Sequence, residues 1–190
     1  MYGKDSDGTG RPVLVDSGGR LITKSNLIDA AVEGRLFMAA NQAAVTTTAA
    51  LATTWTGLGV GNPTGSGKLL VFHEFGWANT DADDDTGVVG LMIGAIGDMA
   101  AAITGRCARW GYATPSAYVD DGATIGTPIL VKTCGVLSDG ATSTSMTVGP
   151  QIVDLKGSIV IPAGYALLSY TGVVETSHLI FHYVWEEIDA

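Results

Sequence analysis

Side chains that clothe solvent-facing helices are scarce in this chain: 190 residues include only five Glu, five Lys, five Arg and two Gln. That shortage excludes a helical bundle. Cysteine is scarce as well. Cys107 and Cys134 stand outside any CxxC or metal-ligand spacing and read as two reduced, mostly buried thiols. Long uninterrupted apolar runs are missing. The nearest approach, Gly87 to Gly105 (GVVGLMIGAIGDMAAAITG), is broken by Asp98 and by its glycines, so two short strands around a turn are expected there instead of a membrane helix. No basic stretch followed by an apolar one opens the chain, so no secretion signal is expected. No repeat of fixed period occurs, which argues against a propeller or solenoid.

Positive charge is in short supply. Ten basic residues against 19 acidic ones leave a net charge of −9, which repels phosphate backbones and anionic headgroups. Neither nucleic acid nor a membrane surface is therefore expected as a partner. The imbalance is uneven along the chain. Residues 1–35 hold five bases, Lys4, Arg11, Arg20, Lys24 and Arg35, against five acids, so this segment is neutral and the remaining 155 residues carry the whole −9.

What is abundant is Gly, Ala and Thr, which together fill 70 of the 190 positions. The acids are mostly Asp, whose short carboxylate bonds nearby backbone amides and so favours turns. Thr, Val, Ile and aromatics for strands, with Gly and Asp for corners, describe an all-β protein. Strands are expected at Leu36 to Ala40, Ala43 to Thr48, Thr53 to Val60, Lys68 to Trp77, Gly87 to Ile93 and Thr104 to Trp110. Further strands are expected at Pro128 to Cys134, Ser145 to Val148, Ser158 to Ile161, Ala166 to Thr171 and Ser177 to Glu186. Turns are read at Gly61 to Gly65, Asp81 to Gly87, Asp120-Asp121-Gly122, Ser138-Asp139-Gly140 and Pro162-Ala163-Gly164. Many short strands without α/β alternation predict a two-sheet β-sandwich of jelly-roll or Greek-key type over residues 36–190.

Residues 1–35 read as an extended N-terminal arm. The opening GKDSDGTGRP is too polar to bury, and a short hairpin is expected from Val13-Leu14-Val15 through the turn at Asp16 to Gly19 to Leu21-Ile22. Asn26 is placed to cap the one brief helix, Leu27 to Glu33. At the other end, the period of two puts Leu179, Phe181, Tyr183 and Trp185 on one face of the last strand and His178, Ile180, His182 and Val184 on the other. Both faces are largely apolar, so this strand is expected in the centre of its sheet or between subunits.

Residue patterns that invite a chemical reading do not sustain one. Gly61 to Lys68 (GNPTGSGK) departs from a phosphate-binding loop, because Asn62 stands where Gly is needed and Leu69 where Ser or Thr is needed. It reads as a turn entering a buried strand. Asp81, Asp83, Asp84 and Asp85 read as a solvated acidic loop, the other reading being a weak Ca²⁺ or Mg²⁺ site between subunits. His178 and His182 point the same way but lie about 13 Å apart along a strand, too far to share a metal ion. Glu186 and Glu187 are adjacent on a strand and face opposite sides, which spoils them as an acid/base pair. No Gly-x-Ser-x-Gly elbow occurs. No catalytic, cofactor-binding or metal-ligating residue is assigned, and no enzyme activity is expected.

Two stretches resemble virion proteins of tailed bacteriophages: Thr53 to Phe75 (TTWTGLGVGNPTGSGKLLVFHEF) and Ser158 to Glu187 (SIVIPAGYALLSYTGVVETSHLIFHYVWEE). The first carries Asn-Pro-x-Gly-Ser-Gly-Lys before an apolar strand; the second carries Ile-x-Ile-Pro-x-Gly, two strands and a closing Trp-Glu-Glu. The resemblance implies a capsid decoration or cement protein, a small jelly-roll sandwich that clusters as trimers on the outer head surface and clamps neighbouring capsomers. It implies the major capsid protein as partner, assembly in the host cytoplasm and a place on the virion surface, with no catalytic residues to carry over. The neutral arm is then the expected attachment segment, through Arg11, Val13, Leu14, Val15, Arg20, Leu21, Ile22, Lys24 and Arg35. The alternative is a receptor- or glycan-binding sandwich of a phage head or tail fibre, which exposed Trp or Tyr beside Asp or Asn in loops such as Trp110 to Tyr118 would favour.

Overall fold

Alternation of large apolar side chains along the C-terminal strand organises the molecule. In the computed structural model, Leu179, Phe181, Tyr183 and Trp185 are all 0% exposed, while Ile180, His182 and Val184 on the opposite face are half-buried. The structure describes residues 2–4, 10–12, 26–80, 87–137, 150–175 and 179–190. Its elements are β1 (Tyr2–Lys4), β2 (Gly10–Pro12), α1 (Asn26–Val32), β3 (Leu36–Ala40), β4 (Thr54–Gly61) and β5 (Lys68–Asn79). They continue with β6 (Gly87–Ile96), β7 (Arg106–Cys107), β8 (Tyr118–Leu137), β9 (Gln151–Ile161), β10 (Tyr165–Thr171) and β11 (Leu179–Asp189).

Two antiparallel sheets pack face to face. The first has the order β7-β3-β11-β5-β9, with β11 central, the first of the two places its two-sided apolar pattern allows. In the second, β10 lies between β4 and β6, and β8 pairs with both β4 and β6 and closes the ring. From β3 to β11 the chain changes sheet at every step, which is the double Greek-key winding of a jelly roll with β7 added at one edge. The space between the sheets holds Phe72, Phe75, Trp77, Phe181, Tyr183 and Trp185, and Phe75 lies 5.1 Å from Tyr183 and 6.0 Å from Phe181 between ring centres. A second cluster around Trp55, Met92 and Leu168 fills the far side of the closed sheet.

The turn at Gly61 to Gly65 forms as expected, and its anchor is Asn62, which is fully buried. Its amide nitrogen donates to the carbonyls of Lys68 (2.7 Å) and Ile161 (3.0 Å), and its Oδ1 accepts from Ser66 Oγ at 2.5 Å. Its backbone N–H donates to Tyr165 and its carbonyl accepts from Gly164. One side chain thereby joins this turn to the Pro162-Ala163-Gly164 turn.

Four expectations are corrected. Asp120-Asp121-Gly122 is part of the twenty-residue β8, not a turn. Asp120 does accept from the N–H of Gly122 (3.3 Å) as a turn-forming Asp would, but the pairing irregularity falls opposite, between Thr56 and Gly59, and the strand runs on. Gly87 to Gly105 holds one strand, β6, followed by irregular chain, since Gly94 packs against Ile125 where a Cβ would fall 2.0 Å from that side chain. Ala43 to Thr48 forms only an isolated bridge between Val45 and Leu179. Thr104 to Trp110 yields only the two residues of β7. The expected strand Ser145 to Val148 and the turn Ser138-Asp139-Gly140 lie outside the described residues.

Candidate docking surfaces

The expected attachment segment is partly described. A hairpin does form near the N-terminus, but from β1 and β2, with Tyr2 opposite Pro12 and Gly3 opposite Arg11. Val13, Leu14, Val15, Arg20, Leu21, Ile22 and Lys24, and with them the hairpin expected from Val13 to Ile22, lie outside the described residues. Helix α1 forms within a residue of its expected bounds and is fastened to the sandwich. Ala30 is fully buried, the carbonyl of Val32 accepts from Arg109 Nη1 at 2.9 Å, and Gly34 turns the chain at φ +75° against the ring of Tyr112. Outward, Ile28 and Val32 stand four apart on α1 and are both more than half exposed.

Arg35 is tied to the body. Its guanidinium pairs with Glu33 (2.7 Å) and with the buried Glu186, and its carbonyl accepts from Glu187 N–H. Its charge is matched by its own neighbours.

The outer face of the first sheet forms the floor of a groove of about 780 Å³. Pairing register sets Arg106, Met38, Val184 and Glu74 side by side across β7, β3, β11 and β5. In the next row, His182 lies over Gly76, and its Nε2 meets Glu74 Oε1 at 2.9 Å. Ile103, Thr104 and Trp110 line the same groove from the chain that flanks β7. Trp110 is 80% exposed, with the Arg106 guanidinium 5.5 Å from its ring centre; Tyr112 is 55% exposed, with Arg109 at 4.1 Å. The loop that carries these rings is held by Glu187, whose carboxylate accepts the N–H groups of Ser116 and Ala117 at 3.0 Å each. Local sequence holds the signal for this surface, since Arg106, Arg109, Trp110 and Tyr112 fall within seven residues.

A third surface lies where β8 and β9 each leave an edge unpaired among the described residues. From Gly126 onward β8 pairs with β6 alone, and β9 pairs with β5 alone. Ile129 (60%) and Ile152 (62%) stand exposed here, with Val131, Val136 and Val160 also exposed. Two clefts share Ile93 and Val131, one extending to Tyr165 and the other to Val160, so the apolar surface is continuous across both strands. The left-handed Thr127 (φ 45°) lies on its rim.

Titratable groups are dispersed. Burial pushes the imidazole of His73 below its ordinary value, with Asp154 opposing, and its Nε2 stands 3.4 Å from Glu186. Glu186 and Glu187 are both buried and reach opposite ways, to Arg35 and to the Trp110 loop. Cys107 is buried, and burial pushes the half-buried Cys134 thiol up to about 11. His178 and Asp81 to Asp85 lie outside the described residues, and among the described residues no three His, Cys, Asp or Glu gather as a metal site. Comparison with protein-family models, curated proteins and solved structures finds no match to this chain.

Proposed function

We propose that this is a structural virion protein, a decoration or cement protein that binds the outer surface of a tailed-phage head as a homotrimer and stabilises contacts between capsomers. The observation that carries the reading is the apolar surface over β8 and β9. Two strand edges unpaired among the described residues, with Ile129, Val131, Ile152 and Val160 exposed beside Lys132, favour association over a fully solvated surface. A second copy suits this surface because strand edges of one sequence complement each other and the surface carries little of the −9 charge that keeps copies apart. The jelly-roll winding and the resemblance of residues 53–75 and 158–187 to phage virion proteins support the same reading. The major capsid protein is the partner, reached by residues 1–25 and by the exposed Ile28 and Val32 of α1.

Light scattering of the full chain is expected to give three times the monomer mass, and Val131→Asp with Ile129→Asp to give monomers. A chain beginning at Asn26 keeps α1 and the Arg35–Glu186 pair; it is expected to stay trimeric yet to decorate protein-free heads far more weakly. Electron microscopy of the particle is then expected to show regularly spaced density over capsomer junctions. Density confined to tail or fibre tips overturns the reading.

A further inference from the structure

We propose that the groove beneath Trp110 binds a glycan, taking a neutral hexose unit whose apolar C–H face stacks on the indole. The inference goes beyond capsid attachment and uses none of the residues assigned to it. A tryptophan left 80% exposed forgoes the burial of a large apolar ring. This ring is positioned by Arg106 at 5.5 Å and by a loop that Glu187 ties down through two backbone N–H groups. An exposed aromatic on a fixed loop is a preformed platform, and preformed platforms lose little entropy on binding.

The chemistry around the platform matches a sugar. A hexose offers weakly polarised C–H groups on one face, which the negative face of an indole attracts, and a rim of hydroxyls that need both donors and acceptors. The groove supplies both kinds. Glu74 accepts, Arg106 and the Gln42 amide donate, and the His182 imidazole does either according to its tautomer. Met38 and Val184 make the floor between them apolar, so a few placed polar groups surround a hydrophobic surface, as small-ligand sites require. Glu74 and Arg106 balance each other's charge within the groove, and this local neutrality together with the net charge of −9 favours a neutral unit over a phosphate or an acidic sugar.

The other three tryptophans, Trp55, Trp77 and Trp185, are buried, so quenching of fluorescence by acrylamide reports on Trp110. With the full-length protein and a panel of neutral gluco-, galacto- and manno-oligosaccharides, at least one is expected to protect Trp110 from quenching and to give saturation transfer by NMR. The dissociation constant expected for such a shallow site is on the order of millimolar. Trp110→Ala is expected to leave the melting temperature unchanged and to weaken binding at least about tenfold, and Glu74→Gln about threefold or more. Failure of every neutral sugar at millimolar concentration, binding of acidic sugars or nucleotides alone, or binding that survives Trp110→Ala overturns the proposal. None of these results bears on trimer formation or head decoration, which separate assays read.

Discussion

The imidazole of His182 occupies the space where residue 76 would carry its Cβ: a methyl on Gly76 would fall 1.9 Å from His182 Cε1. The two residues face each other across β5 and β11, and the missing side chain lets the ring lie flat enough to meet Glu74 at 2.9 Å. Gly76→Ala is therefore expected to push the ring aside and break the contact with Glu74. The ring is half-buried at the surface of the groove and free to turn, so the cost is expected to stay under about 1.5 kcal/mol. NMR of the His182 ring against a thermal melt separates the two effects. A large loss of stability would show that the backbone moved instead.

Asn62 holds two turns with one side chain. Asn62→Ala removes its bonds to Lys68, Ile161 and Ser66 and leaves buried carbonyls without donors, an expected loss of about 2–4 kcal/mol in a urea titration. Ser66→Ala removes one of these bonds together with the acceptor of the Lys68 N–H (3.1 Å), and is expected to cost about 1–2 kcal/mol.

Tyr183 carries its hydroxyl into the core, where Tyr183 OH has no hydrogen-bond partner among the described residues and burial holds it well above its ordinary pKa. Tyr183→Phe keeps the ring packing on Phe75 and Phe72 and discards a desolvated hydroxyl. The variant is expected to match or exceed the parent in stability, by up to about 1 kcal/mol. A loss beyond that would reveal a partner for the hydroxyl.

Stability is expected to fall in mild acid through His73. Its folded-state pKa lies below the ordinary value of 6.5, so the unfolded chain takes up the proton first. Above 6.5 this group leaves stability untouched; as the pH drops below 6.5 stability is lost progressively until the folded-state value is passed. Urea midpoints measured at neutral and at mildly acidic pH are expected to differ less in His73→Gln than in the parent. Equal slopes would place the acid sensitivity on other groups.

Parts of this architecture are legible in short stretches of chain. The period of two in β11 shows in four consecutive pairs of residues, because each side chain's face follows from pleating alone. The turn at Gly61 to Gly65 announces itself through Asn-Pro and Gly, which restrict the backbone locally. By contrast, Asp120-Asp121-Gly122 carries every mark of a turn and lies inside β8, because pairing with β4 absorbs the irregularity as a bulge. The aromatic rim of the groove is legible in the run from Arg106 to Tyr112, but its floor is not: Met38, Glu74 and Val184 are scattered over the chain and become neighbours of Arg106 only through strand register.

The sequence by itself determined the all-β class, the two-sided alternation of β11 and the turns at Gly61 to Gly65 and Pro162 to Gly164, since these depend on alternation, on backbone restriction by Gly, Pro and Asn, and on a shortage of helix-forming side chains. Only the tertiary structure decided which surfaces are available. It paired Arg35's charge with the buried Glu186, exposed Trp110 on a loop that Glu187 fastens, and left exposed apolar residues along β8 and β9. Exposure is a property of what packs against a residue, and in a jelly roll the packing neighbours come from strands far apart in the chain.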